Sequence, residues 1–395
     1  MIEQLKNQWK SVWEALWESL PGSRPKILLF VNLPQDLDML LPLAERLQKM
    51  EDSRLAVMVS DKAWKQSPRI GKLLKAASIE PRLLNHKAVV AGLQPSLRNT
   101  KAVVTASEST ANAHKGPHTL TQRANQKGIP TYTMQHGFDN VGVTYFDEEY
   151  PVGRIMFASQ TFFTWGKVSD LPAETPAETR AKCVAVGCPK FIDSPFAKVG
   201  KAQQIPGRAP GSTLIVVFEN LHWSRYSDDY RQRFLQDLEQ SAITHPKITF
   251  LVKPHHTGLW LTQRYQGKVP VADNLIVADP KAPEWEVFTA PALIEIADAV
   301  LTTPSTVAVD AARSHCPVAV VAYDLELPNY EPLPLLHSRE DWQTFVEQAG
   351  KVNNPALAGV EGFLRDRLVP GDAVGRMVDR ITAPADRHLS QSAAI

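Results

Sequence analysis

The sequence predicts two doubly wound α/β halves whose parallel sheets face one another across a cleft. Three observations carry this. Strand-like apolar runs alternate with helical spacing in both halves, a Pro- and Gly-rich stretch divides them, and three polar clusters each follow a strand-like run. A length of 395 residues suits two domains of about 150–200 residues. In open parallel sheets ligands bind beyond the carboxyl ends of the strands, where all three polar clusters fall.

Taken in order, residues 27–33 form a short apolar run that follows Pro25 and leads through Asp36-Leu37-Asp38 into helical spacing over 39–50. Residues 55–60 and 102–106 read as strands and 118–127 as a helix. Gly128-Ile129-Pro130 is a turn, and 131–134 is a strand entering Gln135-His136-Gly137. A further apolar run covers 155–164. From 171 to 211 prolines and glycines accumulate around one strand-like piece at 184–186, which sets a connection at 194–212 between a first half over 1–193 and a second over 213–380. The second half repeats the alternation. Strands are expected at 213–218, 248–252, 275–278, 300–301 and 318–323, and helices at 229–241, 292–299, 306–314, 342–348 and 361–367. Residues 381–395 read as a frayed tail. The result is a pair of Rossmann-like domains.

Composition narrows the function classes. Hydrophobic residues make up 44% and charged residues 22%, with a formal net charge of +1, so no basic field argues for nucleic acid. Cys183, Cys188 and Cys316 have no metal-ligand spacing and read as reduced thiols of a cytoplasmic protein. No run reaches the 18 or so apolar residues of a membrane span. Residues 2–20 pattern as an amphipathic helix, with Leu5, Trp9, Trp13, Leu16, Trp17 and Leu20 on one face. That face could sit at a membrane surface, peripheral to the inner face of the inner membrane, or dock on protein. Glu3, Glu14 and Glu18 beside Lys6 and Lys10 favour protein.

The polar clusters suggest a division of labour. Lys253-Pro254-His255-His256 ends a strand with a cation and two imidazoles, which suits an anionic leaving group. Ser305-Thr306 precedes a helical pattern, where hydroxyls and unpaired amides hold a phosphate or merely cap the helix. Across the cleft, Gly137 permits close backbone approach to a ligand, and His136 can donate to a substrate or act as acid or base. The carboxylate candidates are Asp139, Glu148, Glu149 and Glu219. Asp228 and Asp229 start a helix instead. Asp36-Leu37-Asp38 has the spacing of a metal-held nucleotide sugar, but its place at a helix start favours capping, or a face toward an acceptor, over a metal. No metal or other cofactor is expected.

With those residues in place the chain resembles the GT-B glycosyltransferases that use CMP-activated sugars. The likeness is to bacterial sialyltransferases and, more closely, to the β-Kdo transferases of capsule and lipopolysaccharide synthesis. It rests on Lys253-Pro254-His255, on Ser305-Thr306, on Gln135-His136-Gly137, and on the Gly-x-Pro-x-x-x-Asp pattern from Gly187 to Asp193. His256 stands where those families carry proline, and Pro304 precedes the hydroxyl pair. The resemblance implies that Lys253, His255, His256, Ser305 and Thr306 contact the phosphate of CMP, and that Gln135, His136 and Gly137 line the sugar site. It implies transfer of an acidic sugar, Kdo before sialic acid, in β linkage with retention, to a bacterial surface glycan or glycolipid. A CDP-glycerol glycerophosphotransferase, a non-hydrolysing nucleotide-sugar epimerase and a catalytically silent glycan-binding module are the alternatives.

Overall fold

The computed structural model describes residues 24–138, 155–173, 175–190, 204–255, 258–285 and 287–383. The expected helix over 2–20, Asp139, Glu148, Glu149, His256, most of the connection and nearly all of the tail lie outside these residues.

The first sheet is built from β1 (Lys26–Val31), β2 (Arg54–Ser60), β3 (Arg82–Leu84), β4 (Thr100–Thr105), β5 (Thr131–Met134), β6 (Thr161–Thr164) and β7 (Cys183–Ala185). Its order is β3-β2-β1-β4-β5-β6-β7, and every pairing is parallel. The second contains β8 (Thr213–Glu219), β9 (Ile248–Pro254), β10 (Leu275–Val277), β11 (Ala299–Thr302), β12 (Val318–Val321) and β13 (Leu335–Leu336). Its order is β10-β9-β8-β11-β12-β13, again all parallel. Strand order reverses at β1/β4 in one sheet and at β8/β11 in the other. These reversals leave the crevices where open α/β sheets take ligands. The predicted pair of α/β domains is what the chain forms.

Strands covered by helices on both faces read as unbroken apolar runs. All six residues of β1 are buried, as are Leu214 to Phe218 of β8. The expected run at 155–164 is a strand only over its last four residues. Before it, the amides of Ala158 and Ser159 donate to the buried Glu108 carboxylate, at 3.0 and 3.1 Å, instead of to a neighbouring strand. Between β2 and β4 the chain adds helices Asp61–Gln66, Pro68–Ala76 and His86–Val90, none of them expected.

The late helices start earlier than the apolar spacing suggests, at Arg339 and Ala356. A further helix, Ala373–Thr382, belongs to the stretch expected to close the second half, yet it packs on helix Asp36–Leu47 of the first. Its apolar side buries Ala373, Met377, Val378 and Ile381. Arg376 donates to the Val186 carbonyl at 2.9 and 2.7 Å, and the Tyr132 hydroxyl to the Arg380 carbonyl at 3.2 Å. One continuous apolar core consequently holds residues of both sheets.

The return path depends on Gly187. Its φ is +94°, and a Cβ there would fall 2.5 Å from the Val369 carbonyl oxygen. Gly187→Ala therefore adds left-handed strain to a steric clash and should lower stability by at least about 1 kcal/mol. In urea denaturation the midpoint is expected to fall with the slope unchanged.

Candidate functional site

A cavity of about 920 Å³ opens between the carboxyl ends of the two sheets. Pockets that hold small molecules and cofactors span about 300–1,000 Å³. Glu219, Lys253, His255, Ser305, Thr306 and Gly137 all line it. Of the sequence-predicted phosphate residues, Lys253, His255, Ser305 and Thr306 are thus brought together with one of the four carboxylates, while His256 lies outside the described residues.

Two neighbouring strands supply the first wall. Glu219 closes β8 and Pro254 pairs with it at the end of β9. The next backbone amide, His255 N–H, donates to the Glu219 carbonyl at 2.9 Å. Gly258 N–H donates to His255 Nδ1 at 3.2 Å, so the neutral imidazole carries its proton on Nε2 and offers an N–H donor. His222 stacks on His255 with ring centroids 4.8 Å apart. It also covers Gly258, where a Cβ would sit 2.2 Å from its ring. The Lys253 side chain forms no hydrogen bond or ion pair among the described residues, and burial lowers its pKa. A half-buried ammonium with no side-chain partner among the described residues suits an anion.

Glu219 is only 2% exposed. Oε2 accepts from Leu221 N–H at 2.9 Å, while Oε1 has no partner among the described residues. Desolvation raises its pKa to about 7, partly offset by the amides of Leu221 and Leu261. A carboxyl poised there can take or give a proton at neutral pH.

The second wall follows β11. Ser305 Oγ lies 3.2 Å from Thr302 Oγ1 and accepts from Val307 N–H at 3.1 Å. Asn220, the residue after Glu219, fastens this turn to β8. Its N–H donates to Thr303 Oγ1 at 3.2 Å and its amide to the Pro304 carbonyl at 3.2 Å, while Tyr226 O–H fixes its Oδ1 at 2.8 Å. Thr306 Oγ1 accepts from Phe138 N–H of the first half at 3.0 Å. The helix that follows, Val307–Arg313, has seven residues.

The first-half motif is arranged differently from its sequence reading. Gly137 lines the cavity, but Gln135 and His136 do not. Gln135 is buried with its amide committed to backbone: Nε2 donates to the Gly137 carbonyl at 2.8 Å, and Oε1 accepts from Trp165 N–H at 2.8 Å. It braces the loop instead of facing a sugar. His136 meets His114 edge to face at 5.3 Å, and burial lowers its pKa to about 4. A neutral ring beside a second neutral ring is a packing partner. Phe138 packs on Tyr330 and Phe363 of the second half at 5.3 and 5.2 Å.

Asp36 is fully buried and accepts from Asn32 N–H, Leu33 N–H and Ser107 O–H at 2.9, 2.9 and 2.6 Å, so it closes the turn after β1. Asp38 lines the cavity, ion-paired with Arg69. Among the described residues no three His, Cys, Asp or Glu converge on a metal position. Sequence reasoning missed the Lys190–Asp310 ion pair at 2.5 Å, which lines the cavity and joins the first half to the second. It also missed Lys62, Arg69 and Arg225. Lone basic residues in polar stretches carry no pattern, and only the Gly187–Asp193 motif pointed to Lys190.

No family model matches the chain, and no curated protein matches it by sequence. Solved structures do match in fold. A UDP-GlcNAc 2-epimerase from Neisseria meningitidis bound to UDP-GlcNAc is 12% identical with a TM-score of 0.59, covering 90% of this chain and 99% of that one. The Methanocaldococcus jannaschii UDP-GlcNAc 2-epimerase, in complex with UDP-GlcNAc and UDP, is 11% identical with a TM-score of 0.58, over 90% and 99%. The wall teichoic acid polymerase TagF is 12% identical with a TM-score of 0.55, over the whole of both chains. The fold is therefore GT-B-like, two parallel-sheet α/β domains of seven and six strands around one cleft.

The raised pKa of Glu219 is also a stability term. The folded protein holds this proton more tightly than the unfolded chain, so the contribution is full below about 4.5 and is lost as pH rises through about 7. Glu219→Gln should gain up to about 3 kcal/mol over the parent at pH 8 and differ little at pH 4.5. Urea titrations of both proteins at the two pH values check this.

Proposed function

We propose that the protein is a transferase that binds a cytidine-nucleotide donor in the cleft and releases CMP. The observation that carries this reading is the meeting, in one cavity, of Lys253, whose side chain has no partner among the described residues, with His255, Ser305 and a carboxyl, Glu219, that titrates near neutrality. Lys253 Nζ, His255 Nε2–H and the Ser305 hydroxyl hold the phosphate. Glu219 removes the proton of the acceptor hydroxyl, whose oxygen attacks the donor. The bond to CMP breaks, CMP leaves with the electron pair, and the three donors stabilise its growing charge.

Glycerol phosphate from CDP-glycerol is the preferred transferred group. Outside the wall beyond β1 and β2, Lys190, Arg225 and Lys253 outnumber Glu219 and Asp310 in the cavity lining, which suits a diphosphate. Attack then occurs at the glycerol-bearing phosphorus, where positioning and charge neutralisation supply most of the catalysis. The full-length likeness to TagF fits this choice. An acidic sugar such as Kdo from a CMP donor is the second reading, favoured by Lys253-Pro254-His255. A carboxyl with a pKa near 7 serves proton transfer better than nucleophilic attack. Glu219 thus supports single displacement, and a retaining route would fall to Asp139, Glu148 or Glu149, outside the described residues.

Calorimetry with CMP, UDP and CDP-glycerol tests the donor. CMP and CDP-glycerol should bind more tightly than UDP, and Lys253→Ala should weaken CMP at least about tenfold. Glu219→Gln should lower turnover by at least about 10²-fold with little change in CMP affinity, and the parent rate should rise with pH through about 7. A clear preference for UDP would favour an epimerase and sink the proposal. CMP release with in situ-generated CMP-Kdo but not with CDP-glycerol selects the second reading.

A further inference from the structure

The wall of the cavity formed beyond β1 and β2 has no part in holding the donor phosphate, yet its chemistry is specific. Lys62 lines the cavity, is exposed, and forms no ion pair or hydrogen bond among the described residues. Arg69 lies on the same wall, ion-paired with Asp38, which orients the guanidinium and leaves Lys62 as the uncompensated charge. Between them stand Gln66 and Ser67, with Gln35 beside Asp38. The side chains of these three form no hydrogen bond among the described residues. Unspent amides and a hydroxyl suit a polyhydroxylated ligand, and an uncompensated cation suits an anion on it.

We propose that this wall is an acceptor subsite for a polyol or glycan bearing a phosphate or carboxylate, with Lys62 and the Asp38-braced Arg69 as its charge contacts. Calling it the acceptor site rests on the transferase reading; the anion site itself does not. Glu219 and the donor donors belong to the facing half, so a ligand on this wall shares the cavity with both. Because Lys62 is exposed, its contribution weakens as ionic strength rises.

The full-length protein, saturated with CMP, is titrated by NMR and calorimetry with glycerol 3-phosphate, glycerate and glycerol. One additional saturable site is expected for an anionic probe and none for glycerol. The preferred probe distinguishes a phosphate-bearing from a carboxylate-bearing acceptor. Lys62→Glu should weaken that site at least about tenfold while CMP affinity stays within about twofold. The inference is overturned if no anionic probe binds the CMP-saturated protein, if glycerol binds equally well, or if Lys62→Glu weakens CMP as much as the probe. CMP binding, measured first, reports separately on the transferase reading. Should CMP fail to bind, glycerol 3-phosphate titrated into Lys253→Ala protein, with and without Lys62→Glu, still decides whether this wall binds an anion.

Discussion

The hydrogen bond from His255 N–H to the Glu219 carbonyl holds together the two strand ends on which the site is built. It extends the β8/β9 ladder by one rung past the sheet, so the side chains of Glu219, Lys253 and His255 keep strand-like precision where loops usually begin. From that rung the rest follows outward. Asn220 carries the order on to Thr303 and Pro304, Gly258 sets the His255 tautomer, and burial of Glu219 follows from its place at the end of a fully covered strand. A carboxyl in such a position cannot be strongly acidic, because the protein around it solvates charge poorly.

The two halves are coupled by contacts of different kinds. Phe138 gives an aromatic anchor and a backbone donor, Lys190 and Asp310 an ion pair, and helix Ala373–Thr382 an apolar face. The Gln135-His136-Gly137 stretch is best understood through these. It delivers Phe138 to the second half and Gly137 to the cavity, and its two larger side chains hold that loop in shape. Thr306 is drawn into the same coupling, since its hydroxyl oxygen already accepts from Phe138 N–H and its proton remains for a ligand.

Much of this was legible in the chain itself. Buried parallel strands announce themselves as Val-, Ile- and Leu-rich runs, and residues 27–31, 214–218 and 318–321 are of that kind. The polar residues after them were legible as a cleft because topology sends every strand end to one side. Roles within the cluster were less so. Gln135 and Asp36 look like ligands until their backbone partners are known, and Glu219 differs from other acids only in its burial. Short helices such as Asp61–Gln66 and His86–Val90 rest on the capping side chains of Ser60 and Asn85, not on an apolar period. The face of helix Ala373–Thr382 is plain in its spacing, but spacing never says which surface will cover it.

That helix has a bearing on how the protein is made. The first sheet is complete in sequence by residue 185, yet among the described residues a flank of helix Asp36–Leu47 is covered by residues 373–382. During synthesis at about 5–20 residues per second, the first half spends many seconds with that apolar flank open to water. Its maturation is thus tied to translation of the second half, and a nascent chain stalled before residue 373 presents a ready surface for chaperones or for aggregation.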